Sequence, residues 1–170
     1  MSLDVSRIRV VAFDVFGTLV NLDGVPKEEV KAYADHIRQP EWSPLVLPDS
    51  WKRLYAFSDS SPGINRIAQR HMVVTLSNGP LGLQATLLYL NDINVHAIIP
   101  LELAKVFKPN PLAYLAASEM LDIPPENWLM VTANEKFGDL EASKSVGMQS
   151  VLIRDETIDD VEVLATVLEC

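Results

Sequence analysis

The stretch from Val10 to Val20, VVAFDVFGTLV, constrains this chain more than any other. An apolar run, Val10 to Phe13, ends abruptly in Asp14, and the pair Gly17-Thr18 follows at once. A buried strand that delivers a carboxylate to its C-terminal edge is how an open α/β sheet presents a reactive group, because ligands bind outside the carboxyl ends of the strands. Asp14 is therefore a candidate nucleophile. Alone, the same pattern is also that of an acid capping a turn, so the rest of the chain has to decide.

Short apolar runs alternate with amphipathic stretches, the pattern of a parallel sheet flanked by helices. Strands are expected at 8–13, 72–77, Ala97–Ile99, 128–131 and 150–153. Helices are expected at 28–37, Leu81–Leu90, Pro111–Leu121, 140–146 and 158–168. Asn110 before Pro111 is an N-cap followed by proline at the first helical position, and Gly147 is a stop just past a helix end. The region 21–70 is the least regular, broken by Pro26, Pro40, Pro44, Pro48 and Pro62, with Trp42 and Trp51 available to pack a loop down. It reads as an insertion between the first and second strands that lies over the first strand's active edge.

Composition narrows the partners. At 170 residues the chain is one domain with a small inserted element, and it can bury a real core. The net charge of −9, with no basic patch, argues against nucleic-acid binding. An anion can still be bound where Lys and Arg are focused locally. Cys170 is the single cysteine, which excludes an internal disulfide and fits a reducing compartment. No signal-peptide pattern and no membrane-length apolar run occur, so the expected location is cytoplasmic, with no membrane partner. His36, His71 and His96 have no mutual spacing that suggests a metal site.

Right-handed crossovers put all parallel strand ends on one edge. Four of them carry chemistry. The first ends in Asp14, the second in Ser77-Asn78-Gly79. After the third comes Lys108-Pro109, and after the fourth Thr132-Ala133-Asn134, then Glu135 and Asp139. A carboxylate, a small hydroxyl, a cation and a further acid in that order make a site that attacks an anionic substrate.

That order resembles the haloacid dehalogenase superfamily, from Val10 to about Ile153. Asp14 to Thr18 looks like its first motif, Ser77 its second, Lys108 its third, and Glu135 to Asp139 its fourth. The resemblance implies a Rossmann-like three-layer α/β/α sandwich, a parallel sheet of order 5-4-1-2-3, and a cap inserted after strand 1. The core would be 1–20 and 71–170, with 21–70 a reduced cap. It also implies a covalent ester on the first Asp, hydrolysed by water. Phosphatases of the superfamily carry a general-acid Asp two residues after the nucleophile; here that position is Phe16. A halide needs no such acid. DVFGTL is similar to the 2-haloacid dehalogenase motif, as are LSNG at 76–79, VFKPNPLAY at 106–114 and the Arg38-Gln39 to Trp42-Ser43 segment.

In that reading Asp14 displaces the halide, and Arg38 and Lys108 supply positive charge. Thr18, Ser77 and Asn78 hold carboxylates, while Asn134 and Asp139 position the water. Tyr114 follows the lysine by six positions as a site hydroxyl, and Phe16 and Trp42 wall the site. No cofactor is then expected, the substrate is a small organic anion, and a homodimer could cover what the short cap leaves open. A phosphatase would instead hold Mg²⁺ with Asp14, Glu135 and Asp139. A third alternative is a catalytically silent binding protein on the same fold.

Overall fold

A computed structural model describes residues 3–154 and 158–170. The chain forms a five-stranded sheet, all parallel: β1 (Val10–Phe13), β2 (Met72–Leu76), β3 (Ala97–Ile99), β4 (Trp128–Thr132) and β5 (Gln149–Leu152). The order is β3-β2-β1-β4-β5, as expected when read from the other edge. The helices are α1 (Lys27–Ile37), α2 (Ser60–Ile67), α3 (Leu81–Leu90), α4 (Leu101–Ala104), α5 (Pro111–Leu121), α6 (Asp139–Ser145) and α7 (Val161–Val167).

The two-residue period of β1 divides the core. Val11 and Phe13 join Val73, Leu129 and Val131 on one face, under α2 and α7. Val10 and Ala12 join Val74, Trp128 and Met130 on the other, against Ala113, Tyr114 and Ala117 of α5 and Ala142 of α6. Burial on both faces explains why β1 and β4 read as unbroken apolar runs rather than alternating ones. Capping sets the helix starts. The Asn110 side chain accepts from the Leu112 N–H ahead of α5, and Asp160 accepts from Val163 N–H, which starts α7 at Val161, later than the expected 158.

The inserted region divides between two packing environments. α1, the 3₁₀ turn Asp49–Arg53 and the intervening loop form a small cap with its own cluster of Val25, Tyr33, Ile37, Trp51 and Leu54 against Phe16 and Phe107. α2, unexpected from sequence, packs instead on the sheet, with Ile64 and Ile67 in the first core face. Ser60-Ser61-Pro62-Gly63 has the composition of a turn. It is helical because Gly63 lets α7 approach: a Cβ there would lie 2.7 Å from the Val161 carbonyl carbon.

Candidate active site

The floor of the site is the C-terminal edge of β1, β2 and β4, with the loop after α4. Asp14 follows β1 and is 7 % exposed. Its Oδ1 accepts from Ser77 Oγ at 2.9 Å and from Lys108 Nζ at 3.2 Å. Its Oδ2 accepts from Thr18 Oγ1 at 3.2 Å. The Thr18 hydroxyl is itself fixed, because it accepts the Ala133 N–H at 3.0 Å and so turns its proton to Asp14. One carboxylate oxygen is thus doubly held and the other singly, leaving Oδ2 with spare lone-pair capacity.

Lys108 is 2 % exposed. Its backbone is clamped by the Asn78 side chain, which accepts from Lys108 N–H at 2.7 Å and donates to Lys108 O at 2.8 Å. Its ammonium donates to Asp139 Oδ2 at 2.6 Å as well as to Asp14. Tyr114 donates to Asp139 Oδ1 at 2.7 Å. Both oxygens of Asp139 are therefore taken, which makes it an anchor for Lys108.

The electrostatics follow from this unequal sharing. Burial raises the Asp14 pKa above the ordinary carboxylate value; Lys108 pulls it down, Asp139 pushes it up, and the net is upward. Lys108 is opposed by burial, yet two carboxylates hold its pKa above the usual lysine value. The ammonium sits closer to Asp139 than to Asp14, so Asp14 receives the weaker half of the compensation. Burial and the Asp139 charge push the Tyr114 phenol far up, so it stays a donor.

The structure thus brings Asp14, Thr18, Ser77, Asn78, Lys108, Tyr114 and Asp139 into one connected cluster. Other expected residues lie elsewhere. Arg38 is exposed at the C-terminal end of α1, its guanidinium 5.9 Å from the Phe137 ring centre. There it lines a groove of about 870 Å³ with Trp42, Phe107 and Leu115. Phe16 packs into the cap against Tyr33 and Trp51. Gly79 makes room for it, since a Cβ there would run into the Phe16 ring. Asn134 uses its side-chain oxygen to accept the Lys136 N–H and cap a 3₁₀ turn. Glu135 is exposed on that turn. Asp14, Glu135 and Asp139 do not come together as a cation site, and among the described residues no group of three or more His, Cys, Asp and Glu does. The donor set does not fit the Mg²⁺ arrangement.

Two contributors escaped the sequence. Arg154, just past β5, donates to Thr18 O from Nε and Nη2 at 3.2 and 3.0 Å, and pairs with both oxygens of Asp59. Its guanidinium stacks 3.6 Å over Phe57. It braces the nucleophile loop from behind. Tyr33 of α1 is buried among Phe16, Trp51 and Phe137, with Phe16 two residues past Asp14 and Phe137 two residues before Asp139. A lone aromatic on an amphipathic helix carries no signal that separates it from core.

A parallel sheet in this order, with an aspartate at the end of its central strand facing a serine and a lysine from neighbouring strand ends, is the haloacid dehalogenase fold. The chain is similar to a defluorinating L-2-haloacid dehalogenase at TM-score 0.78 and 22 % identity, over 96 % of each chain. It is similar to the L-2-haloacid dehalogenase of Xanthobacter autotrophicus with chloropropionic acid covalently bound, at TM-score 0.79 and 16 % identity, over 95 % of this chain and 98 % of that one. A HAD family enzyme of Bacteroides thetaiotaomicron, in complex with magnesium and inorganic phosphate, aligns at TM-score 0.66 and 14 % identity, over 88 % of this chain and 97 % of that one. No protein-family model matches the chain, and no curated protein matches it significantly.

Proposed function

We propose that the protein is a hydrolase of the 2-haloacid dehalogenase type, acting through an ester on Asp14 without a metal. The observation that carries this is Asp14 itself: a buried carboxylate oriented by Ser77, Thr18 and Lys108, with Phe16 where a leaving-group acid would stand. Asp14 Oδ2 attacks the α-carbon of a small 2-halo acid, the C–X bond breaks, and the halide leaves with the electron pair. Ser77 and Lys108 keep Oδ1 in place and take up the charge that changes on it. Lys108 also occupies the space between Asp14 and Asp139, so an ammonium supplies the positive charge there. Water then cleaves the ester, giving the 2-hydroxy acid and the free carboxylate. Arg38, exposed at the C-terminal end of α1 beside Phe137, is the cation available to the incoming substrate carboxylate.

The phosphatase reading is favoured by one observation, the neighbour in complex with magnesium and inorganic phosphate. It is opposed by Phe16 and by the position of Glu135. Halide release from a panel of short 2-chloro and 2-bromo acids, in excess EDTA, distinguishes the two. Release that survives EDTA and disappears in Asp14→Asn supports the dehalogenase. Phosphate release from esters that requires Mg²⁺ sinks it, and silence in both assays leaves the binding-protein alternative.

A further inference from the structure

Tyr33 is a cap residue with a defined place in the site and no part in any motif. It is 7 % exposed. Its ring meets Phe16, two residues past Asp14, edge-on at 6.1 Å, and Phe137, two residues before Asp139, edge-on at 6.4 Å. Trp51 closes a third side at 5.2 Å. These rings fix Tyr33 in the roof, between the two segments that carry the carboxylates. Burial, then the charges of Asp14 and Asp139, push its phenol well above the ordinary value, and the Asn78 amide beside it offsets part of this. The group is a protonated O–H at every working pH.

An in-line displacement places the entering and leaving groups on opposite sides of the reacting carbon. The nucleophile lies in the floor, at the end of β1. The leaving group therefore projects toward the roof, where Tyr33 stands. We propose that Tyr33 is the leaving-group donor, its Oη–H hydrogen-bonding to the halide as the C–X bond breaks. The Asp14 Oδ2–carbon bond forms, the C–X bond breaks, the electron pair goes to the halide, and Tyr33 keeps its proton throughout. The proposal rests on the displacement chemistry proposed above.

The test is single-turnover halide release from 2-chloro- and 2-bromopropionate by wild type and Tyr33→Phe, so that ester hydrolysis does not mask the step. A hydrogen bond to a developing anion changes the rate by about tenfold or more, and it matters most for the smaller, more basic chloride. The expected result is a fall of about tenfold or more with the chloro substrate and a smaller fall with the bromo substrate. An equal fall with both, or none, overturns the role of Tyr33 and leaves the displacement reading standing. No halide from wild type overturns both. If Tyr33→Phe does not fold, Tyr33→Met, which fills the space without a donor, is judged by the same chloro-to-bromo ratio.

Discussion

The floor of this site and its cap are held by opposite chemistry. On the floor, Tyr114, Asp139, Lys108, Asp14 and Ser77 form one chain of hydrogen bonds and ion pairs drawn from separate strand ends. The cap meets the core through Phe16, Tyr33, Trp51 and Phe107, largely by ring contact. Removing a buried charge is costly wherever it leaves its partner with no other counter-charge away from water. Apolar contacts accept replacements of similar volume at small cost. The nucleophile and its counter-charge are therefore fixed in the floor, while the cap is free to vary the substrate it admits.

The contrast is sharpest at Asp14. Asp14→Asn is expected to lower halide release on the order of a thousandfold or more, while its melting temperature rises slightly above wild type. Ionised Asp14 is disfavoured by burial and by Asp139, so its folded pKa lies above the unfolded value of 3.8. The folded state then binds the extra proton, and wild-type stability falls as pH rises through that window. The gap in melting temperature between Asp14→Asn and wild type is expected to be full above the raised pKa and to close below pH 3.8. Calorimetry across pH measures it; a gap that widens toward acid contradicts the sign. By the same protonation, halide release declines as pH falls through the raised Asp14 value.

Lys108→Met removes the ammonium that links the two carboxylates. It is expected to cost about 3–5 kcal/mol in urea unfolding, since Asp14 and Asp139 are left facing each other unpaired, and to abolish turnover. Tyr114→Phe leaves one oxygen of Asp139 without its donor and is expected to cost about 1–3 kcal/mol. In the cap, Trp42→Phe is the contrasting change. The Trp42 indole N–H is buried without a partner among the described residues, so its loss is expected to shift unfolding by less than about 1 kcal/mol. A Trp42→Phe cost as large as that of Tyr114→Phe breaks the comparison.

The floor was legible in the sequence because its residues follow strands, and strand ends converge by topology wherever they stand in the chain. Asp14, Ser77, Lys108 and Asp139 could be placed together before any contact was known. In the cap, helix α1 and the packing role of Trp51 were legible, but the rest was not, because its order comes from aromatic packing across a proline-broken loop with no period to read. Tyr33 is one ring on α1, distinguished by the rings that pack against it, Phe16, Phe137 and Trp51. Arg154 reaches Thr18 O from 136 positions away, with no local pattern to announce it. The cap that the Asn134 oxygen places on the Lys136 N–H is a local feature that its position after the fourth strand did not announce.

The most direct measurement is a single turnover of 2-chloropropionate in H₂¹⁸O with enzyme in excess, followed by mass spectrometry of the peptide containing Asp14. If Asp14 attacks the α-carbon and water opens the ester at the carboxyl carbon, ¹⁸O appears in that peptide and the first 2-hydroxy acid formed is unlabelled. Label in the product with none in Asp14 would mean that water attacks the substrate directly, and the nucleophilic role of Asp14 would be wrong.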